Sequence, residues 1–419
     1  MTGERYDVLV IGGGPAGAAA ATVLAKKGQS VAVLERERFP RFHVGESLLP
    51  YQHDVIHRLG VHEKLESRGY VQKYGAHFVS NDGSCEGGLD FEEFLTEPYR
   101  RAWEVERADF DEVLLRHAEE AGAEVFEEAR AREVQTSPGD CRIQATIEGR
   151  ELELRSRFVL DASGQGTFLA RRLGLRRTLP DLKKIALFTH YSGGRRRPGR
   201  EAGNITLVFG QGCWFWMIPL RDDRLSLGCV LDQEHWRGRG DAEATLVERI
   251  KTSPYVSSWL EGARRERSVT VGSDFSYRSE KLQGPGWLMA GDAAAFLDPI
   301  FSTGVLLALL SGEAGAEAIV KHLGKGSTRP LEDYERRFDR WLSRYFKLIR
   351  TYYHPGFPAV FFNPKRSYQR AVAPFFGGHV DPGWRQRLYL AVFYRLVHWN
   401  HRFGFLADPR SEEARVAHV

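Results

Sequence analysis

The chain has 419 residues, 42% of them hydrophobic and 27% charged, a composition that buries one large core or two linked ones and excludes a disordered chain. A formal net charge of +4 is small for that length and by itself argues for neither nucleic acid nor a membrane surface as partner. Apolar runs such as residues 305–310 fall well short of the roughly 20 residues a membrane helix needs, so no span is expected.

Residues 1–6 lead straight into the apolar run Val8, Leu9, Val10, Ile11, leaving no room for a charged segment, an apolar segment and a cleavage site; a cytoplasmic location is expected. Residues 7–11 read as a buried parallel strand, 12–17 as a glycine turn, 16–27 as an alanine-rich helix and 30–35 as the next strand, which completes a βαβ unit. Beyond it, strand-like runs at 75–79, 205–209, 214–219 and 225–231 mix with helical ones at 107–121 and 241–252, the order expected of an α+β portion inserted into a nucleotide fold. After about Pro330 the pattern becomes long, helical and rich in aromatic residues and arginine, interrupted at Pro355, Pro358, Pro364, Pro374 and Pro382. The expected division is a discontinuous nucleotide-binding domain (1–72, 103–175, 270–330), a substrate-side sheet region (73–102, 176–269) and a helical C-terminal segment (331–419).

The four cysteines, Cys85, Cys141, Cys213 and Cys229, lie far apart in sequence without a Cys-x-x-Cys pair; they read as buried free thiols, and no metal site is expected. The run Arg195, Arg196, Arg197 and Arg200 is compatible with docking an acidic partner, but a charge run flanked by Gly and Pro reads more simply as a solvated loop.

In Gly12-Gly13-Gly14-Pro15-Ala16-Gly17 the first glycine permits a tight turn, Gly14 lets a pyrophosphate approach the backbone, and Gly17 allows helix to pack on strand. Pro15 and Ala16 open the helix whose N-terminus faces the phosphate charge. The acidic Glu35, closing the second strand, suits a ribose hydroxyl. The fingerprint alone does not choose between NAD and FAD.

Two later segments, Asp161-Ala162-Ser163-Gly164 and Gly291-Asp292-Ala293-Ala294, resemble the distal motifs of the FAD-dependent aromatic hydroxylase superfamily. The resemblance implies that Asp292 holds ribityl and ribose hydroxyls. Arg107 resembles the family arginine that contacts the flavin nucleotide, and Arg41 with the strap His43-Val44-Gly45-Glu46-Ser47 resembles the segment that crosses the isoalloxazine. These motifs run in family order to about residue 312. They imply an α/β fold: a Rossmann-type FAD-binding domain of the aromatic hydroxylase (glutathione reductase-like) kind, with an inserted mixed-sheet substrate region and the helical C-terminal segment. No second glycine fingerprint follows a strand, so reduced flavin comes either from NAD(P)H acting transiently or from a separate flavin reductase.

Three features resemble one branch, the flavin-dependent halogenases of phenols and pyrroles. Trp214-Phe215-Trp216-Met217-Ile218-Pro219 matches the family's Trp-x-Trp-x-Ile-Pro signature, thought to lie between flavin and substrate; as a bare pattern, tryptophans at alternate strand positions are core aromatics. Lys73, in Gln72-Lys73-Tyr74-Gly75, enters a strand about where the family carries its essential lysine, although a lysine before a strand is usually a surface residue. Phe296-Leu297-Asp298-Pro299-Ile300-Phe301-Ser302-Thr303-Gly304 resembles the halide-binding turn, and Ser302, Thr303 and Gly304 offer successive backbone N–H groups opening a helix, a concavity that favours an anion.

The resemblance implies an FADH2-dependent halogenase. Reduced FAD and O2 give a flavin hydroperoxide, chloride or bromide becomes hypohalous acid, and Lys73 passes the halogen to an electron-rich phenol or pyrrole, free or tethered to an acyl carrier protein. A hydroxylase or a geranylgeranyl reductase-like oxidoreductase shares the FAD motifs without needing Lys73 or the two tryptophans. No glutamate can be placed beside Lys73 from sequence; Glu46 qualifies only by its place in the strap. The aromatic residues Tyr352, Tyr353, His354, Phe361 and Phe362 read as helix-packing core.

Overall fold

A computed structural model describes residues 5–210, 212–236, 240–272, 275–362 and 372–406. The first sheet is built around parallel strands: Arg5–Ile11 pairs on one side with Val31–Leu34 and on the other with Arg150–Asp161, and Trp287–Met289 and Glu124–Phe126 flank them. These strands are nearly continuous apolar runs because helices cover their faces. Pro15–Lys26 packs between Gly304–Lys325 and Arg107–Glu120.

Register decides where the motifs meet. Ile11 pairs with both Leu34 and Asp161, and Asp161 with Met289, so the segments that follow, Gly12, Glu35, Ala162 and Asp292, emerge together at the carboxyl edge, where ligands of open α/β sheets bind. Gly12 sits at φ +100°, where a Cβ would lie 2.4 Å from the Ala162 carbonyl oxygen; at Gly17 one would lie 1.8 Å from that of Gly12. No other residue fits either position.

The second sheet is mixed and centred on the 17-residue strand Arg176–Ser192, followed across the sheet by Arg224–Asp232, Cys213–Pro219, Ile205–Phe209, Gly75–Ser80 and Glu86–Asp90. Its two faces bury different cores. Phe215, Met217, Leu187 and Leu227 pack beneath the helices Ala242–Lys251 and Pro254–Trp259. Trp214, Trp216, Phe188 and Leu207 join the core shared with the nucleotide domain. The period of two in Trp-Phe-Trp-Met separates those faces.

The helix Arg329–Tyr352 ends before Pro355, Pro358 opens Phe357–Phe361, and Pro382 precedes Trp384–Phe403; Pro364 lies outside the described residues. No helix among the described residues is long and apolar enough to cross a membrane. Of the cysteines, Cys141 and Cys229 are buried free thiols, whereas Cys85 and Cys213 are only half-buried, and Cys213 meets Cys229 across neighbouring strands. The arginine run is the solvated loop expected, with Arg195 and Arg200 exposed, but its guanidinium groups have partners. Arg195 pairs with Glu261 at 2.7 Å, Arg196 donates to the Arg224 carbonyl at 3.1 Å, Arg197 reaches Glu86 at 2.6 Å, and Arg200 reaches Asp90 at 3.1 Å; the fold consumes the charge that looked free.

Candidate active site

A cavity of about 590 Å³ runs from the glycine turn, lined by Gly12, Gly14, Pro15, Ala16 and Glu35, past Arg41, Ser47, Arg107 and Asp292 to Trp214 and Trp216. Glu35 is already oriented: its Oε2 accepts the Gly13 N–H at 2.7 Å and its Oε1 the Glu37 N–H at 2.9 Å. Arg107 donates through Nε and Nη2 to Asp111 at 2.7 and 2.8 Å and through Nη1 to the Val44 carbonyl at 2.7 Å. Arg41 meets the same Asp111 at 2.8 Å. Burial pushes the Asp111 carboxyl up, but the two guanidinium groups outweigh it and hold it below the ordinary carboxylate range. This trio fixes the 43–47 strap over the cavity. Within the strap, burial and the Arg107 charge push His43 down to about 4, so it is neutral at pH 7.

Asp292 lines the cavity, and its carboxylate has no side-chain partner among the described residues. Burial pushes it up to about 7 against the pull of Arg107. A carboxylate so placed requires hydroxyl donors, and the glycine turn offers backbone N–H groups to a pyrophosphate. The residues present fit FAD.

A second, much smaller cavity of about 30 Å³ is walled by Lys73, Phe78, Leu89, Phe91 and Phe376 among others, and shares Ile205, Leu207 and Ser302 with the first. Lys73 leads into the expected strand, Gly75–Ser80, and also closes the short strand Val71–Lys73; it is 2% exposed rather than superficial. Its Nζ donates to Ser47 Oγ at 2.7 Å and to the Leu48 carbonyl at 2.9 Å. An ammonium has three donors; the third has no hydrogen-bond acceptor among the described residues, and the amine stands 5.7 Å over the Phe91 ring. Burial pushes the amine below the usual lysine range, while nearby Glu104 opposes this.

Both indole N–H groups are committed to the protein. Trp216 donates to Ser226 Oγ at 3.2 Å; Trp214 donates to the Tyr353 hydroxyl at 3.0 Å, which in turn donates to Asp298 at 2.8 Å. Asp298 also accepts the Ile300 N–H at 3.1 Å, so this chain ties the tryptophan wall to the 296–304 turn. In that turn one expectation fails: the Ser302 N–H is spent on the Pro299 carbonyl at 2.9 Å, with Ser302 in the left-handed region at φ 55°. Thr303 caps the Gly304–Lys325 helix and its side chain is buried; of the three N–H groups expected, those of Thr303 and Gly304 are without a partner among the described residues. Gly304 lines the large cavity.

The FAD binding domain family model matches residues 5–341. A 1H-pyrrole-2-carbonyl-[peptidyl-carrier protein] chlorinase of Pseudomonas fluorescens is 30% identical over 412 residues, covering 92% of each chain. The solved structure of a flavin-dependent brominase superposes with a TM-score of 0.85 at 30% identity, covering 95% of this chain and all of that one; a flavoprotein/dehydrogenase of Cytophaga hutchinsonii superposes at 0.86 with 27% identity, covering 94% and 100%. The chain belongs to the flavin-dependent halogenases.

In this halogenase the side chain that sequence reasoning missed is Glu104. It closes the strand Ala102–Glu104, which runs antiparallel to Val71–Lys73, and it bridges Ser47. Ser47 Oγ donates to Glu104 Oε1 at 3.2 Å, so one hydroxyl joins carboxyl and amine. Burial pushes Glu104 up to about 8, against the pull of Lys73. The only signal in the sequence is an acid inside the apolar run Ala102-Trp103-Glu104-Val105. Glu46, the candidate by proximity, is instead buried 2.8 Å from His190 Nε2. Ser47, expected at the flavin, touches both the large cavity and the Lys73 network. Tyr353, expected as core, is the link between Trp214 and Asp298.

Proposed function

We propose that Lys73 delivers the halogen in this enzyme, and that the substrate is a small, neutral, electron-rich ring of the pyrrole or phenol type held as a thioester on a carrier protein. The observation that carries the first part is the buried amine, with one donor unspent, in a small cavity that shares a wall with the flavin-sized one.

FAD, when bound in its reduced form, would supply the two electrons that bring O2 to the peroxide level, and peroxide-level oxygen oxidises chloride or bromide to hypohalous acid. The Thr303 and Gly304 N–H groups hold the halide at the helix N-terminus. Trp214 and Trp216 wall the ring away from the flavin. Ser302, Ile205 and Leu207 form the boundary that the hypohalous acid crosses, and a space of about 30 Å³ suits a molecule little larger than water. There the Lys73 ammonium gives a proton to the hypohalous oxygen, which leaves as water as the ring takes the halogen, and the proton the ring then loses passes to solvent. Ser47 connects the amine to Glu104, whose raised affinity for a proton lets it resupply Lys73 near neutral pH.

The substrate class rests on the surroundings of Lys73. The space itself is too small for a ring, which meets the halogen at its boundary, and apart from Lys73 the residues around it carry no charge, which suits a ring without an ammonium or carboxylate of its own. The Pseudomonas fluorescens relative is named for a pyrrole-2-carbonyl group on a peptidyl carrier protein, and a thioester tether removes that ring's carboxylate charge. A separate flavin reductase supplies FADH2, consistent with the single glycine fingerprint.

The experiment is mass spectrometry of reactions containing the protein, FAD, a flavin reductase, NADH, and chloride or bromide, with pyrrole-2-carboxylate either free or loaded on a peptidyl carrier protein, and with a free phenol. A halogen isotope pattern that follows the halide supplied, on the carrier-bound ring, is the expected result. Halogenation confined to free rings would overturn the tether, and halogenation by Lys73→Met at the wild-type rate would overturn the lysine's role.

A further inference from the structure

Ten large hydrophobic side chains are exposed among the described residues, and seven of them, Trp384, Leu388, Tyr389, Val392, Trp399, Phe403 and Phe405, belong to the last helix and the turn after it. The helix Trp384–Phe403 buries Leu390, Phe393, Tyr394, Val397 and Asn400 against the protein. At 100° per residue, Trp384, Leu388, Val392, Trp399 and Phe403 fall within one sector about 100° wide, opposite the buried face. Arg385, Arg395 and Arg402 are exposed in that same sector. No Asp or Glu occurs from Pro382 to Leu406. Arg385, Arg395 and Arg402 meet no carboxylate among the described residues; Arg385 and Arg402 lie over their neighbours Trp384 and Phe403, 5.2 and 5.3 Å from the ring centroids. The preceding Asp381 is taken by Arg344 at 3.0 Å.

We propose that this face rests on an anionic lipid surface, with Trp384, Leu388, Val392, Trp399 and Phe403 entering the interface and the arginines meeting the headgroups. The helix is then an in-plane anchor about 28 Å long from Trp384 to Phe403. Charge and shape select this occupant. A second copy packed about a twofold axis would set the face against itself, bringing arginines together with no carboxylate between Pro382 and Leu406 to separate them. The exposed side chains stand on the outward side of one helix, as a ridge, so a protein partner would have to bring the groove. A lipid surface needs none. Single exposed apolar residues are ordinary; a row along one helix interleaved with unpaired cations marks an interaction surface. This proposal does not depend on the substrate reading.

The test is co-sedimentation of the full-length FAD-loaded protein with phosphatidylglycerol vesicles and with phosphatidylcholine vesicles, each at low and high salt. Binding to the anionic vesicles at least tenfold stronger than to the neutral ones, weakened by salt, is expected. Trp384→Ala/Trp399→Ala and, separately, Arg395→Glu/Arg402→Glu each reduce it at least tenfold while leaving the melting temperature and bound FAD unchanged. A second measurement needs no variant: brominated phosphatidylglycerol quenches the protein's tryptophan fluorescence beyond what the unbrominated lipid does. Failure to bind anionic vesicles, or equal binding by the wild type and both variants, overturns the proposal. So does a dimer that only the wild type forms, or retention of an acidic carrier protein by this face without vesicle binding.

Discussion

Lys73 would be unremarkable on a surface; at 2% exposure its charge must be held by the Ser47 hydroxyl and the Leu48 carbonyl. Replacing it by methionine keeps most of the volume and removes the donor. Lys73→Met is expected to lower halogenation roughly 10²–10⁴-fold while FAD affinity, measured by flavin fluorescence, stays within twofold. Glu104 carries a prediction with a sign. Burial raises it to about 8 from the ordinary carboxylate value of 4.5, so the stability linked to its neutral form is fully present below the unfolded pKa and is lost as pH rises through 8. Glu104→Gln has no such loss. The difference in melting temperature, variant minus wild type, therefore grows more positive from pH 5 to pH 9, and a difference that is constant or falls with pH would show that Glu104 is not held neutral.

At the scale of elements, the strand Cys213–Pro219 delivers two indoles to one cavity because its neighbour Arg224–Asp232 yields space. Gly228 pairs with Trp216, and a Cβ there would stand 2.1 Å from the Trp216 ring. Gly228→Ala is expected to destabilise by about 1–3 kcal/mol through overpacking and to displace Trp216 from its 3.2 Å bond to Ser226. Denaturant unfolding reads the first effect and a shift in tryptophan emission the second. The turn at 296–304 depends in the same way on its attachment to Tyr353. Tyr353→Phe removes the link to both Trp214 and Asp298, and it should raise the half-saturating chloride concentration several-fold, because the Thr303 and Gly304 N–H groups follow the Asp298-capped turn. An unchanged chloride dependence would show that the turn holds its shape without that link.

Across the whole molecule, buried neutral histidines set the acid limit. His43 and His53 are both pushed down to about 4, chiefly by burial. A depressed pKa contributes stability that is present above the unfolded value near 6.5 and lost as pH falls through 4. The melting temperature should therefore fall over that window, and His53→Gln should flatten part of the fall; an identical pH profile in the variant would assign the acid sensitivity elsewhere. His53 packs edge-on against Trp103 at 4.6 Å, next to Glu104 on the same strand, so this variant also tests how tightly the Lys73 ribbon is supported from behind.

Much of this architecture is legible in the chain itself, because local chemistry dictates it. The glycine turn needs φ +100° at Gly12 and no Cβ at Gly17, the parallel strands are continuous apolar runs, and the Trp-x-Trp alternation assigns both indoles to one face of a strand. Those constraints act over a few residues, so they can be read in order along the sequence. What the tertiary structure alone decided are meetings between distant segments. Asp111 anchors both Arg41 and Arg107, Glu104 lies opposite the lysine strand with Ser47 between them, and Tyr353 closes on a tryptophan 139 residues away. The same holds for losses: Ser302 spends its N–H within its own turn, and the arginine run is neutralised by carboxylates and carbonyls from other elements. A side chain's type is written in the sequence, whereas its partner, its burial and hence its proton affinity depend on which other segment the fold brings against it.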